Sequence, residues 1–248
     1  MFNKRYITIG LLLYLLAIIF TLPAELFSKQ VNNIHPRLKV NGLKGSLWHG
    51  QIQQLTINHQ SLNHITWDIQ PLALLLGRLQ LTLSYADAKN SIQFSLARGF
   101  GGTLQILGVE GQLEPAFLQS FTPYPVPAFH GSMIFEELDI VFEGKRPQQA
   151  QGKLEWRGAV VELGQKVALG TLLLSLEDTD KGIEAVLTEQ SGKLSGQATM
   201  LLTEDGRYKI EARFTPSDKD RHLARHLSLL LVKGADGSYG RSFTGQLR

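Results

Sequence analysis

The chain has 248 residues, enough for one large domain or two small ones, and contains no cysteine. The absence of cysteine excludes thiol nucleophiles, disulfides, iron–sulfur clusters and cysteine-ligated zinc. Lysine and arginine number 25 against 22 aspartate and glutamate residues, and two of the basic residues, Lys4 and Arg5, precede the first apolar run. The remainder is close to neutral and lacks the clustered basic surface that nucleic-acid binding requires.

The first predicted element is an apolar segment. No charged residue occurs between Tyr6 and Leu22, and a helix that continues from Tyr6 to Phe27 would extend about 33 Å, enough to cross a hydrocarbon layer of roughly 30 Å. Pro23 falls near its end, where a bend leaves no carbonyl unpaired at the bilayer centre. Because no small-x-small cleavage site follows, a retained transmembrane anchor over 6–27 is favoured, and a cleaved signal peptide is the alternative.

The charges around this segment predict its orientation. Lys4 and Arg5 lie on the short N-terminal side, and the positive-inside rule keeps such residues in the cytoplasm. Residues 1–5 are therefore predicted to be cytoplasmic, and residues 28–248 to lie across the membrane. No second charge-free stretch of about 20 residues occurs, which predicts a single-pass protein with membrane lipid as one partner.

After the anchor, polar and apolar residues alternate with period two, which is typical of strands. Glycine, asparagine and aspartate separate the alternating runs and favour an antiparallel meander with short turns. The sequence Gly-Phe-Gly-Gly at 99–102, for example, predicts a turn rather than a phosphate-binding loop. Strands are predicted at 46–57, 65–69, 79–85, 92–96, 103–109, 133–142, 153–156, 167–176, 183–187, 193–202 and 208–214.

Short helices are predicted at 71–77, at 114–121 and at 217–231. The proline-rich stretch at 123–127 indicates a division of the β-rich domain into two halves near 122–130, with one undivided domain as the alternative. The predicted fold is mainly β. A single N-terminal transmembrane helix precedes a curved antiparallel sheet, an open barrel or half-pipe, with two or three short helices.

Four segments resemble a known family. Residues 42–50 (GLKGSLWHG) and 65–79 (ITWDIQPLALLLGRL) are similar to protein N of the bacterial type II, or general, secretion pathway, and the segments 152–156 and 239–247 are similar to its second half. The resemblance extends over nearly the whole chain. The pattern Trp-x3-Pro-x2-Leu-Leu-x-Gly-x-Leu in 67–79 is also similar to AsmA-like envelope proteins, so it specifies a strand–helix–strand unit better than it specifies a role.

The resemblance to protein N implies a non-catalytic accessory or assembly component of the secretion machine. It also implies a Gram-negative host, an inner-membrane anchor, a periplasmic β-rich domain and other secretion subunits as partners. The family supplies no catalytic residue or cofactor to transfer. The similarity to AsmA-like proteins implies a lipid-binding or lipid-transfer module as the alternative function. A continuous apolar groove would favour that alternative, and a packed interior would favour the scaffold.

The strand–helix–strand unit is predicted to close one end of the sheet, with its tryptophan and leucines packed together and its glycine turning the chain back. Its structural residues are Trp48, Trp67, Pro71, Leu74, Leu75 and Gly77. A partner surface is predicted at the C-terminal strand and in the proline-rich segment. The residues of that segment are Tyr124, Pro125, Val126 and Pro127.

No group of residues in the sequence is a strong candidate for a catalytic or metal-binding site. His222 and His226 are spaced as in zinc-binding helices, but the glutamate and the third ligand are missing, so an amphipathic helix surface is favoured. Glu136, Glu137 and Asp139 are interpreted as edge protection or hairpin surface rather than as acid–base residues. We therefore predict no enzyme activity, no catalytic residue, no metal or cofactor, and no small-molecule substrate.

Overall fold

The protein is described from a computed structural model, which covers residues 4–27, 38–57, 60–121, 127–162, 165–192, 194–217 and 231–247 and the single residues 224 and 228. The chain begins with helix α1 (Lys4–Thr21) and a 3-10 turn (Ala24–Phe27). One-turn helices α2 (Pro71–Leu75) and α3 (Pro115–Gln119) interrupt the strands that follow. The third predicted helix, 217–231, lies mostly outside the described residues.

The described strands form one open antiparallel sheet, in which each strand pairs with the next along the chain until the C-terminus, where β14 inserts between β12 and β13. This confirms the prediction of a mainly β protein built on an open antiparallel meander with short helices. The strands are β1 (Leu38–Gly45), β2 (His49–Ile57), β3 (Gln60–Ile69), β4 (Arg78–Ala86), β5 (Ser91–Gly99), β6 (Thr103–Leu113), β7 (Ala128–Glu143), β8 (Arg146–Glu162), β9 (Lys166–Thr179), β10 (Gly182–Glu189), β11 (Leu194–Leu202), β12 (Arg207–Pro216), β13 (Val232–Lys233) and β14 (Tyr239–Gln246).

The sheet continues across the proline-rich segment. Strand β6 pairs with β7 from Thr103 opposite Glu143 to Leu113 opposite Met133. Both sides of the segment therefore belong to one sheet, and the division into two halves near 122–130 stays a prediction.

Bulges bend the sheet at its centre. The registers of β6 with β7 and of β7 with β8 both shift, next to Gly108 and to Glu137, which adopts a positive φ of 46°. A bulge adds local twist and turns the strand. Further along, Cα atoms of β8 and β10 come within 8 Å although β9 lies between them, whereas strands two apart in a flat sheet are separated by roughly 9.5 Å. The sheet is therefore curved at β9.

One face of the sheet is apolar over most of its width. Residues directly opposite one another share a face, and a row of such pairs crosses β3 to β8: Ile69, Leu81, Leu96, Ile106, Ile140 and Ala150. A buried cluster of Ala150, Ile183 and Leu202 continues the row to β11. Only Ala150 of the row is buried, and its other members stay partly exposed. The apolar face of the N-terminal half is therefore incompletely covered.

Helix α1 presents large apolar side chains to its surroundings, among them Tyr6 at 70% exposure and Leu13 at 60%. Among the described residues, no helix meets the length and hydropathy needed to cross a membrane. The membrane anchor over 6–27 stays a prediction.

Candidate functional site

Helix α1 is joined to the sheet at the turn between β1 and β2. The ring of Phe20 stacks on Trp48 with centroids 5.4 Å apart, and the Leu47 N–H donates a hydrogen bond of 2.9 Å to the Leu22 carbonyl. Pro23 then forms a β-bridge with Ser46. Three connections of the first six strands lie at this end, because alternate turns of a meander share an end. We call it the proximal end; its connections are 46–48, 70–77 and 100–102.

Trp67 supports the turn that receives α1. Its indole N–H donates to the Leu47 carbonyl at 3.2 Å, and the Ile69 N–H donates to the Trp48 carbonyl at 2.5 Å. Gly50 lies directly against the indole, since a Cβ at this position would be 2.5 Å from Cζ2 of Trp67. The predicted motif residues Trp48 and Trp67 are thus brought together, and they connect the helix to the third strand.

The short helix α2 forms as the residues predict. Pro71 occupies its first turn, Gly77 follows it with a positive φ of 77°, and the Phe100 N–H donates to the Gly77 carbonyl at 3.2 Å. The last bond fastens the end of the 70–77 connection to the β5–β6 turn. Positive φ explains the glycine, because a Cβ is strained in this region.

The leucines of α2 are not where the sequence predicts them. Leu75 is 82% exposed and Leu74 is 39% exposed, so neither closes the end of the sheet together with Trp67. The physical reason is the length of the helix, because a single turn directs one residue toward the strands. That residue is Ala73, at 5% exposure.

The structure adds three exposed apolar residues that the sequence analysis did not single out. Leu72 within α2 and Leu76 directly after it are 73% and 76% exposed, and Phe100, at the tip of the β5–β6 turn, is 90% exposed. The exposure of Phe100 could have been predicted from the turn at 99–102, which the structure confirms. A large aromatic residue between glycines in a tight turn has few neighbours to cover it.

Of the predicted partner surface in the proline-rich segment, the structure describes only Pro127, which lies at the opposite, distal end. Tyr124, Pro125 and Val126 fall outside the described residues. Pro127 is exposed, and its carbonyl accepts a hydrogen bond of 2.5 Å from the Gln119 side chain at the end of α3. Phe117 of the same helix stacks on a tyrosine of β4 with centroids 5.4 Å apart. This partner surface stays a prediction.

The β4–β5 turn at the distal end contains the carboxyl group with the largest change in pKa. Burial raises the pKa of Asp87, but hydrogen bonds from the Tyr85 hydroxyl at 2.6 Å and from the Lys89 and Asn90 backbone N–H groups outweigh it and lower the pKa to about 2. Burial and then the bond to Asp87 raise the pKa of Tyr85. The Asn90 side chain accepts from the Glu114 N–H at 2.7 Å and ties the turn to α3.

The other shifted groups lie in separate local pairs. A hydrogen bond from Arg157 lowers the pKa of Glu155, two residues away. Hydrogen bonds to nearby hydroxyl and backbone groups lower the pKa values of Asp205 and Asp236 in their turns. In the part of the chain that the structure describes, no three histidine, aspartate or glutamate side chains are grouped so that they could hold a metal ion. His222 and His226 lie outside that part.

One member of the acidic group on β7 has a structural role that the sequence did not predict. Asp139 accepts hydrogen bonds from the Gly108 N–H at 2.6 Å and from the Gln151 side chain at 2.9 Å. It therefore connects β6, β7 and β8 at their bulges. Edge protection is wrong for Glu136, Glu137 and Asp139, because β7 pairs on both sides and lies inside the sheet.

In the described chain the sheet ends at β1 on one side and at β13 and β14 on the other. Strand β13 pairs only with Tyr239 and Gly240 of β14, so in the described chain no strand lies along the outer side of β14 from Ser242 to Gln246. Strand β1 forms the other edge. An open edge presents backbone groups to which another strand can pair.

The comparison with known proteins decides the family. The sequence model for "Type II secretion system (T2SS), protein N" matches residues 36–241, most of the chain. The chain belongs to the type II secretion system protein N family. It is 27% identical over 259 aligned residues to the type II secretion system protein N of Vibrio cholerae serotype O1, an alignment that covers 98% of this chain and all of that protein. No solved structure matches the chain.

Membership confirms the resemblance drawn from 42–50 and 65–79, and identifies the protein as a component of the type II secretion system. As such a component, it works with other secretion proteins. The tryptophan-supported turn and α2 both lie within the matched residues. The similarity of 67–79 to AsmA-like proteins stays a prediction.

Proposed function

We propose that the protein is a non-catalytic accessory component of the secretion system, held in the inner membrane by α1 and acting through protein–protein contacts in the periplasm. The observation that carries this proposal is the open edge of β14. Five residues of this strand, from Ser242 to Gln246, are paired with β12 on one side, and among the described residues no strand pairs with them on the other. A partner strand can add there through main-chain hydrogen bonds, with specificity from the alternating side chains.

The ionisable groups support binding rather than catalysis. Catalytic sites bring groups with shifted pKa values together in one cleft. Here the shifted groups are distributed over a distal turn (Asp87), the surface of β8 (Glu155) and two further turns (Asp205 and Asp236), and each is paired with a residue close in sequence. Each pair stabilises its own turn or strand.

Photocrosslinking in intact cells tests the partner contact. A photoreactive residue is placed at Thr244 on the open edge, at Val126 in the predicted partner surface, or at Lys209. Lys209 is the matched control because it lies directly opposite Thr244, is exposed, and belongs to a strand that is paired on both sides. We expect another secretion subunit to be captured from Thr244 but not from Lys209. Capture from Val126 alone would move the contact to the distal end, and no capture from either would refute the proposal.

The anchor is proposed from α1 and the charges before it. Its apolar side chains point outward around the helix, with Ile9 at 54%, Tyr14 at 64% and Phe20 at 47% exposure, as suits a helix whose surroundings are lipid. Lys4 and Arg5 then place the N-terminus in the cytoplasm. A reporter that folds only in the periplasm, fused to the C-terminus, should be active in cells. Activity of a cytoplasmic reporter at the same position would refute this topology.

A second candidate function is lipid binding, and the apolar face favours it. Leu81, Leu96 and Ile106 lie in one cross-strand row, and each remains partly exposed. A curved sheet with such a face can contact acyl chains along its width. Mass spectrometry of the detergent-extracted protein tests this candidate. Phospholipid that remains bound through purification would support it, and its absence would count against it.

A further inference from the structure

The proximal end exposes more apolar surface than any other part of the described sheet. Three leucines next to or within α2 and one aromatic residue at the adjacent turn are each more than 70% exposed: Leu72, Leu75, Leu76 and Phe100. We call these four residues the proximal patch. Leu74, Leu79 and Phe100 line one depression of about 290 Å³. The Phe100 ring also lies against Gly77, the residue after Leu76, so the β5–β6 turn adjoins the leucines of α2. A contiguous exposed apolar surface marks an interaction site.

A series of direct contacts connects this patch to the end of α1. Phe20 stacks on Trp48, the Trp48 carbonyl accepts from the Ile69 N–H at the end of β3, and α2 begins two residues later. The Gly77 carbonyl in turn accepts from the Phe100 N–H. The patch is thus fixed to the same end of the sheet as the helix exit by hydrogen bonds and ring stacking.

We propose that the proximal patch inserts into the outer leaflet of the membrane that α1 crosses, as a second, peripheral lipid contact. This inference rests on the proposed anchor, because α1 defines which end of the sheet faces the bilayer. We assign the patch to lipid because it continues the apolar surface of α1. Helix α1 ends at Thr21, the 3-10 turn follows, and its Leu26 is itself 61% exposed, so apolar surface extends from the helix toward the sheet.

The residues around the patch suit the lipid–water boundary. Trp48 stacks on Phe20 in the last turn of α1, and tryptophan is enriched at membrane interfaces because its ring is amphipathic. Arg78 and Arg98 are exposed on the two strands that flank the patch, where long basic side chains can reach phosphate groups while their stems cover apolar surface. Glu25 and Asp68 also lie at this end, so the contact is proposed to depend on apolar insertion rather than on charge.

Fluorescence quenching in vesicles tests the inference with the full chain. The natural sequence contains no cysteine, so single cysteines can be introduced and labelled without other changes. The purified protein is reconstituted into vesicles of phosphatidylethanolamine and phosphatidylglycerol that contain a lipid with a nitroxide on its acyl chain. The labelled variants are Leu75→Cys and Phe100→Cys in the patch, Leu13→Cys in α1, and Ala88→Cys as the control.

Ala88 is a matched control because it lies in the exposed turn at the other end of β4, a strand of nine residues that extends roughly 30 Å. Interfacial apolar elements are buried roughly 5 to 10 Å below the headgroups, within reach of the nitroxide. We expect quenching at positions 75 and 100 to exceed that at position 88 several-fold, with strong quenching at position 13.

The possible outcomes distinguish insertion of the proximal patch into the membrane from insertion of α1. Quenching at position 13 but not at 75 or 100 would leave the anchor in place and overturn the inference. No quenching at position 13 would overturn the anchor and the inference with it. Equal quenching at positions 88 and 75 would overturn the inference, because the contact would not be confined to the proximal end. Labels at 75 and 100 that stay in water until another secretion subunit is added would identify a protein partner instead.

Discussion

Replacing Trp67 with alanine tests whether the proximal turn is held by this side chain. The indole N–H donates to the Leu47 carbonyl at 3.2 Å, and the ring packs against Gly50. The Leu47 N–H in turn donates to Leu22, the residue that follows α1. Trp67→Ala therefore removes the support of the turn and loosens the attachment of the helix, although no contact of α1 itself is changed.

The expected loss of stability follows from the burial of Trp67 and from its one hydrogen bond. Truncation of a fully buried tryptophan costs about 3 to 5 kcal/mol. Trp67 is partly buried, so we expect a loss of roughly 2 to 3 kcal/mol in the free energy of unfolding, about 1 kcal/mol of which belongs to the hydrogen bond. For a chain of this length, the loss corresponds to a fall in Tm of about 4 to 12 °C.

Two control variants separate packing from hydrogen bonding and local from global effects. Trp67→Phe keeps an aromatic ring but loses the hydrogen bond, about 1 kcal/mol, and the indole atoms that pack against Gly50, so it should cost less than Trp67→Ala but more than the hydrogen bond alone. Trp156→Ala is the matched control, because Trp156 is also partly buried and its indole N–H donates to the His130 carbonyl at 2.9 Å, far along the sheet from α1. Thermal unfolding measures stability, and hydrogen exchange measures protection of the Leu47 and Ile69 amides.

Trp67→Ala should speed exchange at Leu47 and Ile69 selectively, whereas Trp156→Ala should leave these amides protected in the native state. Trp67→Ala should lower Tm clearly. In the fraction that stays folded, the amount of partner captured in a pull-down should change little. The reasoning is refuted if Trp67→Ala is no less stable than Trp67→Phe. It is also refuted if the Leu47 amide keeps its full protection in the alanine variant.

Three further predictions concern the sheet. Gly50→Ala should lower Tm, as measured by thermal unfolding, because the new Cβ would meet the Lys44 carbonyl and lie 2.5 Å from Trp67, and an unchanged Tm would contradict this packing. Asp139→Ala should lower the denaturant midpoint by the equivalent of about 1 to 2 kcal/mol, because the Gly108 N–H loses its acceptor at the bulge, and an unchanged midpoint would contradict this role. The pKa of Asp87 is lowered from 3.8 to about 2, so its charge stabilises the native state above roughly pH 4, and this contribution disappears as the pH falls from 4 to 2. Asp87→Asn should reduce stability at neutral pH and flatten the acid limb of a stability–pH curve, and an unchanged acid limb would contradict the assignment.

The strand-rich class and the meander could be predicted because alternation and turn residues act locally. The interior strands from β2 to β12 each contain a predicted run, and the structure mainly extends their ends. Strand β1 was missed because its residues, Leu38–Gly45, contain two glycines, two lysines and an asparagine, and the alternation of Leu38 and Val40 with polar residues is interrupted at Gly42. Its pairing with β2, from Leu38 opposite Ile57 to Gly45 opposite Gly50, defines it as a strand.

The proximal site could be predicted only in part. The pattern at 67–79 identified Trp67, Pro71 and Gly77 as structural residues, and local geometry explains the last two. The contact of Trp67 with Leu47 depends on the registry of two strands, and the stacking of Phe20 on Trp48 depends on the path of the chain after α1. Neither follows from spacing along the sequence.

The two apolar surfaces of the protein differ in what a lipid can gain from them. Full burial of a leucine or phenylalanine side chain stabilises by about 1.5 to 3 kcal/mol relative to full exposure. Leu75 and Phe100 are 82% and 90% exposed, so nearly all of that free energy is still available at the proximal patch. Leu81 and Leu96 on the sheet face are partly buried by their neighbours and have less left to gain per residue. A bilayer therefore stabilises the patch more strongly per side chain, whereas lipid binding on the face requires many strands to act together.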